Sequence, residues 1–300
     1  MFDWDDLKHF LAVAREGSTT AAAKALGVSQ STVQRRLEEF EKRIGRQVVT
    51  RGVSGYGLTE IGRDLLAHAE RVEDEILAFE RRLSAAGKDL SGTVRVTCPE
   101  AVGVRLMRSS LRNRFHAEFP DLQVEFVISD KLLDLAKGAA DIAIRGTEPR
   151  EHALFGRKIA DMPWAVYASR AYLEERGEIK GLADLDRHSL ALFDVELTDH
   201  RSNEWLQSVA PSATIATRCN SVAALILAVK SGIAVAALPI VVGDNDSDLV
   251  RVLGPVADLT THFYLLMHQD LKDTPRVRAF YDFILRNLKD VQTTLGGRQP

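Results

Sequence analysis

The stretch SQSTVQRRLEEFEKRIG, Ser29 to Gly45, decides how the chain reads. Ser29 caps a helix and Gly45 ends it. At 100° per residue, Val33, Leu37, Phe40 and Ile44 share one face, which is the stripe the helix must bury. Ser31, Gln34, Arg35 and Glu38 point away from that stripe, with Gln30 beside them. A helix that only packs has no use for Ser29, Gln30, Ser31, Thr32 and Gln34 in its opening turns. Amide, guanidinium and hydroxyl groups on a free helix face match what bases offer in a major groove: Gln pairs with adenine, Arg with guanine, and Ser or Thr with either. The helix N-terminus adds N–H groups for phosphate.

Upstream, Leu7, Phe10, Leu11 and Ala14 recur at helical spacing, and Gly17 supplies a stop. Ser18 caps a second helix, TTAAAKAL, which Gly27 ends. Its alanines let another helix lie close. Helix, short turn, helix is a helix-turn-helix layout. Downstream, RQVVTRGVSGYGLT reads as a short strand at Val48 and Val49, a loop with Gly52, Ser54, Gly55 and Gly57, and a return strand at 56–58. That hairpin is a wing, and it places Arg51 and Tyr56 along a phosphate strand. Between Lys24 and Arg51 stand seven Lys or Arg (24, 35, 36, 42, 43, 46 and 51) against three Glu (38, 39 and 41), a local excess of four positive charges. Simple solvation explains many polar helix faces. The coincidence of helix-turn-helix, wing and local positive charge favours double-stranded DNA.

Thr59 caps a long helix to about Ala86. Along it Leu65, Ala69, Val72, Ile76, Phe79 and Leu83 are spaced 4, 3, 4, 3, 4, a narrow heptad seam in a charged surround. The spacing predicts a dimerisation helix rather than a face packed on its own domain. GKDLSG, Gly87 to Gly92, reads as a hinge. Beyond it strands alternate with helices: TVRVT, a helix over 104–119, LQVEFVIS, a short helix at KLLDLAKG, DIAIR, WAVYAS, SLALF, ATIAT, IAVAAL and THFYLLM. This predicts an α/β region with mostly parallel sheets in two similar lobes.

The whole chain has a net charge of −3 over 300 residues, so any polyanion-binding surface is local. The apolar fraction of 45% suffices for cores of normal size. The start, MFDWDDLKHF, lacks a signal-peptide pattern. The apolar run from Val222 to Val242 is interrupted by Lys230, Ser231, Gly232 and Pro239, and reads as a buried helix, a turn and a buried strand rather than a membrane span. Two cysteines, Cys98 and Cys219, give no disulfide framework or zinc site and fit a reducing cytoplasm. The eight histidines show no metal spacing, and there is no G-x-S-x-G, G-x-G-x-x-G or Walker loop. The expectation is no enzyme, no cofactor and no metal.

The stretch FLAVAREGSTTAAAKALGVSQSTVQRRLEEFEKRIG, followed by Arg51 and LTEIG, resembles the N-terminal domain of LysR-type transcriptional regulators. The resemblance runs through Phe10, Gly17, Ser18, Ala22, Ala23, Leu26, Val28, Ser29, Gln30, Val33, Leu37, Glu41, Gly45, Arg51, Leu58, Thr59 and Gly62. FPDLQVEFV, DIAIR and AVKSGIAVAALP extend it, more loosely, over nearly the whole chain. Gln34 stands where the family most often has serine, Phe40 where it has leucine, and Val48-Val49 where Leu-Phe is usual. Gln34 lies on the reading face, so its departure bears on base preference.

The resemblance implies a winged helix-turn-helix over 1–58, a linker helix over 59–87, a hinge over 88–91 and an effector-binding domain over 92–300. That domain folds like a periplasmic binding protein, with lobe I over about 92–162 and 268–300 and lobe II over about 163–267. A small-molecule effector sits between the lobes, beyond the carboxyl ends of strands. The sequence names those ends: Cys98, Pro99 and Glu100, then Ser129, Arg145, Phe193, Asn220 and Ser221. Asn220 and Ser221 read equally as helix caps, and Arg145 equally as half of a structural salt bridge with Asp141 or Glu148. Glu100 argues against a strongly anionic effector. A redox response at Cys98 and Cys219 competes with their reading as small apolar fillers. Ser18, Ser29, Gln30, Ser31, Thr32, Gln34, Arg35, Arg51 and Tyr56 are the expected DNA-binding set. The resemblance further implies a homotetramer built from dimers, with RNA polymerase as a further partner, whereas the sequence supports only a homodimer. Two other readings stay open: a constitutive DNA-binding protein with a C-terminal oligomerisation scaffold, and a small-molecule-binding protein without regulatory DNA binding.

Overall fold

Asp3 opens the first helix with a reciprocal cap: its carboxylate accepts from the Asp6 N–H at 2.9 Å, and the Asp6 carboxylate accepts from the Asp3 N–H. The helix, α1, spans Trp4–Glu16 and stops at Gly17, whose φ of 62° is left-handed. Ser18 caps α2 (Thr19–Leu26) by accepting from the Thr20 and Ala21 N–H groups. Ser29 caps α3 (Gln30–Ile44) by accepting from the Thr32 N–H, and Gly45 ends it. Strands β1 (Val49–Gly52) and β2 (Gly55–Leu58) pair antiparallel, with Arg51 opposite Tyr56. Thr59 then caps α4 (Glu60–Ala85) through the Gly62 N–H.

These elements close on one core of Phe10, Leu11, Ala22, Val33, Leu37, Phe40 and Val48. Phe40 lies 5.7 Å from Phe10, ring to ring; burying such a ring contributes about 1.5–3 kcal/mol. The wing is pinned to the turn between α1 and α2, because the Tyr56 N–H donates to the Gly17 carbonyl at 2.8 Å.

The computed structural model describes residues 2–52, 55–85, 90–149, 153–194 and 201–296. It divides into two compact units, Met1–Glu80 and Arg81–Pro300. Ser54 at the expected wing tip and Gly87 to Asp89 of the expected hinge lie outside the described residues; Leu90 and Ser91 are exposed.

The second unit begins with β3 (Gly92–Cys98), α5 (Glu100–Arg108), α6 (Ser110–Glu118), β4 (Leu122–Ile128), β5 (Ile142–Arg145) and β6 (Leu154–Ser169). It continues with α7 (Arg170–Arg176), β7 (Ser189–Phe193), α8 (Arg201–Val209), β8 (Thr214–Cys219), α9 (Val222–Lys230) and β9 (Ala236–Pro239). It ends with α10 (Ile240–Gly243), β10 (Leu249–His268), α11 (Pro275–Arg286) and α12 (Leu288–Gly296). One sheet has the order β4-β3-β5-β10-β6-β9, and β7 pairs with β8 beside it. A bridge from Leu190 to Val235 ties the second pair to the approach of β9.

Besides a small cluster of Leu135, Ala140, Ala143 and Leu266, two large apolar clusters fill this unit. One gathers Val94, Val96, Leu122, Ile142, Phe115, Phe280 and Phe283. The other gathers Trp164, Tyr167, Leu190, Phe193, Leu225 and Leu238. Strands β6 and β10 serve both: Ile159 and Met162 belong to the first cluster and Trp164 to Ala168 to the second, while Leu259 belongs to the second and Phe263 and Leu265 to the first.

The expected mostly parallel sheet is mixed. Strands β3, β4 and β5 run parallel, as do β7 and β8, whereas β10 runs antiparallel to β5 and β6, and β6 antiparallel to β9. The two long strands run side by side in opposite directions, which imposes the antiparallel pairs. The helix expected over 104–119 is two helices broken at Ser109. Ser109 adopts extended backbone and its hydroxyl donates to the Leu106 carbonyl at 2.7 Å, so the side chain takes the bond that would continue the helix. KLLDLAKG forms turns, because the Asp134 carboxylate accepts from the Ala136 and Lys137 N–H groups. Residues 222–242 form α9, a turn at Gly232, β9 and the start of α10, and among the described residues no helix is long and apolar enough to cross a membrane.

Candidate nucleic-acid interface and interlobe site

The buried stripe of α3 fixes which side chains face outward. Val33, Leu37 and Phe40 are in the core, and Ser31, Gln34, Arg35 and Glu38 are exposed. Gln34 donates its amide to Glu38 at 3.0 Å, and Arg35 pairs with Glu39 at 2.9 Å, each across one helical turn. Both are surface contacts, so a base edge can replace the carboxylate at small cost.

The other expected DNA-binding residues divide by local duty. Gln30 is exposed, and its amide donates to the Thr19 hydroxyl at 3.1 Å, tying the start of α3 to α2. Ser18 and Ser29 are committed to capping α2 and α3. Thr32 meets the Ser29 hydroxyl at 2.8 Å. Arg51 is exposed on the wing, and Tyr56 packs partly against the core while its backbone holds the α1–α2 turn.

Three carboxylates shape this surface without signalling it by composition. Asp6 takes the guanidinium groups of Arg36 and Arg43. Glu41 accepts from the Val48 and Val49 N–H groups at 2.7 and 3.2 Å, fastening the start of the wing to α3. Glu73 on α4 grips Arg15 at the end of α1. The spacing Asp3-x-x-Asp6 signals the capping box of α1, but the arginines across the core lie beyond any local signal.

The predicted seam of α4 splits in two. Ala69 is in the core of the first unit and Leu65 packs partly against it. Farther on Val72 is exposed, and Phe79 and Leu83 keep 68% and 66% of their surface. A concavity of about 490 Å³ lined by Val72, Ile76 and Phe79, with His68, Arg71 and Glu75, runs along this face.

In the second unit the strand-end residues form two groups. In the first, the Ser129 N–H donates to the Cys98 carbonyl at 3.1 Å and the Glu100 N–H to the Asp130 carboxylate at 3.3 Å. Burial raises the Asp130 carboxyl above its ordinary range, and the Glu100 N–H opposes that shift. Pro99 precedes α5 without a side-chain cap bond. In the second, the Asp194 N–H donates to the Cys219 carbonyl at 2.8 Å, and Ser221 caps α9 by accepting from the Ala224 N–H. Asn220 is exposed. Helices α5 and α9, which start from these groups, approach each other. Arg145 is buried at the end of β5 and donates to the Leu133 carbonyl, while Asp141 accepts from the Arg95 N–H at 2.8 Å and stands 3.8 Å from Arg276.

Cys98 and Phe193 turn inward. Both side chains are 2% exposed, in the first and second clusters respectively, so their strand-end positions offer backbone rather than side chain. Burial, with Asp130 nearby, pushes the Cys98 thiol up to about 12. Burial also raises the Cys219 thiol. A thiol near 12 holds almost no thiolate at neutral pH, which opposes oxidation chemistry at Cys98.

The model for a bacterial regulatory helix-turn-helix protein of the lysR family matches residues 4–63, and that for a LysR substrate binding domain matches residues 87–289. An HTH-type transcriptional regulator of Xanthomonas campestris pv. campestris is 29% identical over 95% of this chain and 86% of its own length. The HTH-type transcriptional regulator CrgA of Neisseria meningitidis is 26% identical over 95% of this chain and 96% of its own. The solved structure of AphB, a Vibrio cholerae virulence activator, is similar in fold, with a TM-score of 0.62 at 20% identity over 95% of this chain and 99% of that one. The second family model alone covers more than half the chain, and with the first it spans both units just described: the chain belongs to the LysR family of bacterial helix-turn-helix regulators, as a DNA-binding transcriptional regulator with an effector-binding domain.

Proposed function

We propose that the chain reads a specific, roughly palindromic DNA sequence as a dimer, and that a small molecule held between the two lobes sets its output on transcription. The observation that carries the first part is the exposed polar face of α3, Ser31, Gln34 and Arg35, lifted outward by the burial of Val33, Leu37 and Phe40. Gln30 and Thr32 flank that face, and Arg51 and Tyr56 serve the phosphate strand from the wing, with the N-termini of α2 and α3 at Ser18 and Ser29. Replacing Gln34 or Arg35 by Ala is expected to lower discrimination between the preferred site and a mismatched one by about 1–3 kcal/mol per lost base contact. Competition binding against duplexes altered at single positions measures it. An unchanged preference in either variant would remove that residue from the reading set.

Two reading heads need two chains. The exposed apolar run of Val72, Phe79 and Leu83 around Ile76 supports pairing through the second half of α4. Ile76→Asp is expected to break the pairing and shift sedimentation to a smaller species while leaving helix content intact. Sedimentation identical to the unaltered protein would contradict pairing at this face. The effector site comprises Pro99, Glu100, Ser129, Arg145, Asn220 and Ser221, with the backbone of Cys98 and Phe193. The effector shifts transcription by binding two states of the oligomer unequally. The working form is a tetramer of two dimers that acts on RNA polymerase in the cytoplasm. A ligand screen by thermal shift, repeated on Ser221→Ala and Arg145→Gln, tests the site.

A further inference from the structure

The carboxylate of Asp6 has no exposed surface, yet it holds two positive partners. Arg36 donates to it at 3.4 Å, and Arg43 also donates to it. The Asp3 carboxylate adds longer pairs at 3.9 and 3.5 Å to the same two guanidiniums. Arg36 and Arg43 are seven residues apart on α3, so they rise from the same side of the helix two turns apart. The Asp6 carboxylate therefore spans them from the first turn of α1. A buried carboxylate stripped of its partners is strongly unfavourable, so both arginines are held firmly.

The recognition helix thus carries two kinds of arginine. Among the described residues Arg35 is paired only with Glu39, across an exposed face where water and salt weaken the pair. Arg36, its immediate neighbour, and Arg43 are captured by a buried charge. Both captured side chains remain partly exposed, at 28% and 37%, at the edge of the DNA-binding unit. Released, they would be two more cations beside a polyanion.

We infer that Asp6 withholds Arg36 and Arg43 from the DNA phosphates and so keeps down the sequence-independent share of binding. The inference rests on DNA binding through α3. The withheld partner is the phosphate backbone itself, whose contacts carry no sequence information but dominate affinity. Each added phosphate contact steepens the dependence of log affinity on log salt by about 0.9. Two freed arginines therefore steepen it by about 1–2, and raise affinity for arbitrary duplex by about 5- to 30-fold at 0.15 M salt.

The test uses the full chain, a duplex selected by the unaltered protein and a scrambled duplex, over a range of salt concentrations. Asp6→Asn keeps the shape of the side chain and removes its charge. It is expected to steepen the salt slope on the scrambled duplex, and the triple variant Asp6→Asn, Arg36→Gln, Arg43→Gln is expected to restore the original slope. Arg36→Gln and Arg43→Gln, each alone, are expected to leave the slope unchanged, and Asp6→Ser, which also removes the charge, takes the place of Asp6→Asn if that variant does not fold. A shallower slope in either single arginine variant would mean that the arginine already touches phosphate. An unchanged slope in folded Asp6→Asn would mean that Asp6 only staples α1 to α3. Either result overturns the inference while leaving DNA binding through α3 intact. Failure of the unaltered chain to prefer the selected duplex would instead sink the underlying reading, and the inference with it.

Discussion

Gly62→Ala is expected to destabilise the DNA-binding unit by about 3 kcal/mol. A Cβ at position 62 would lie 2.0 Å from the Val48 carbonyl oxygen and 2.9 Å from its carbon. Both are backbone atoms of a fully buried residue at the entry to the wing. The same carbonyl accepts the Thr59 N–H at 3.1 Å, so α4 cannot withdraw without giving up that bond. Overpacking costs about 1–3 kcal/mol and the lost hydrogen bond about 1 kcal/mol more. For a unit of this size the midpoint of thermal unfolding should fall by about 10–20 °C. Thermal melts of the two proteins side by side give the answer, and equal midpoints would show that α4 and the wing are not packed this closely. The glycine of LTEIG is thus explained by a close approach of backbone to backbone.

The other large effect is expected at Phe115. Its ring lies 5.1 Å from Phe119, 5.4 Å from Phe280 and 5.1 Å from Phe283, centroid to centroid, where α6 meets α11. The contacts with Phe280 and Phe283 are edge-on, and such contacts add to the burial of the ring itself. Phe115→Ala is expected to cost the second unit about 3–5 kcal/mol. The first unit contains none of these rings, so its own unfolding should stay where it is. Denaturant unfolding followed by hydrogen exchange separates the two. A loss of protection spread equally over both units would contradict their independence as folding units.

What the sequence revealed follows the range of the interactions involved. The caps at Ser18, Ser29 and Thr59 and the stops at Gly17, Gly27 and Gly45 were legible because each acts within a few residues. The exposed polar face of α3 was legible because one helical period separates Val33, Leu37 and Phe40 from Ser31, Gln34 and Arg35. The capture of Arg36 and Arg43 was not, because Asp6 stands 30 and 37 residues away in the chain. Those two arginines belong to the local positive excess on paper but are held by a carboxylate in the fold. Strands β6 and β10 were seen only in part: their outer stretches show no alternation, and β10 changes register repeatedly against β6.

The strand ends were located more surely than their side chains. In β3 the last three residues, Val96, Thr97 and Cys98, are all buried, so the alternation that would say which way Cys98 points is missing. Phe193 ends a strand whose last four residues are buried, for the same reason. Along α4 the heptad spacing holds, but Leu65 and Ala69 serve the core of their own unit, whereas Val72, Phe79 and Leu83 are exposed. A heptad cannot tell the two uses apart, since both require an apolar stripe of the same pitch.

The claim on which the rest depends is that the polar half of SQSTVQRRLEEFEKRIG reads bases. The direct measurement is selection of randomised duplex DNA by the purified chain, with sequencing of the bound pool, at two salt concentrations. An enriched motif with two related half-sites that persists at the higher salt is the expected result. A pool without an enriched motif, held only by binding that fades with salt, would contradict it.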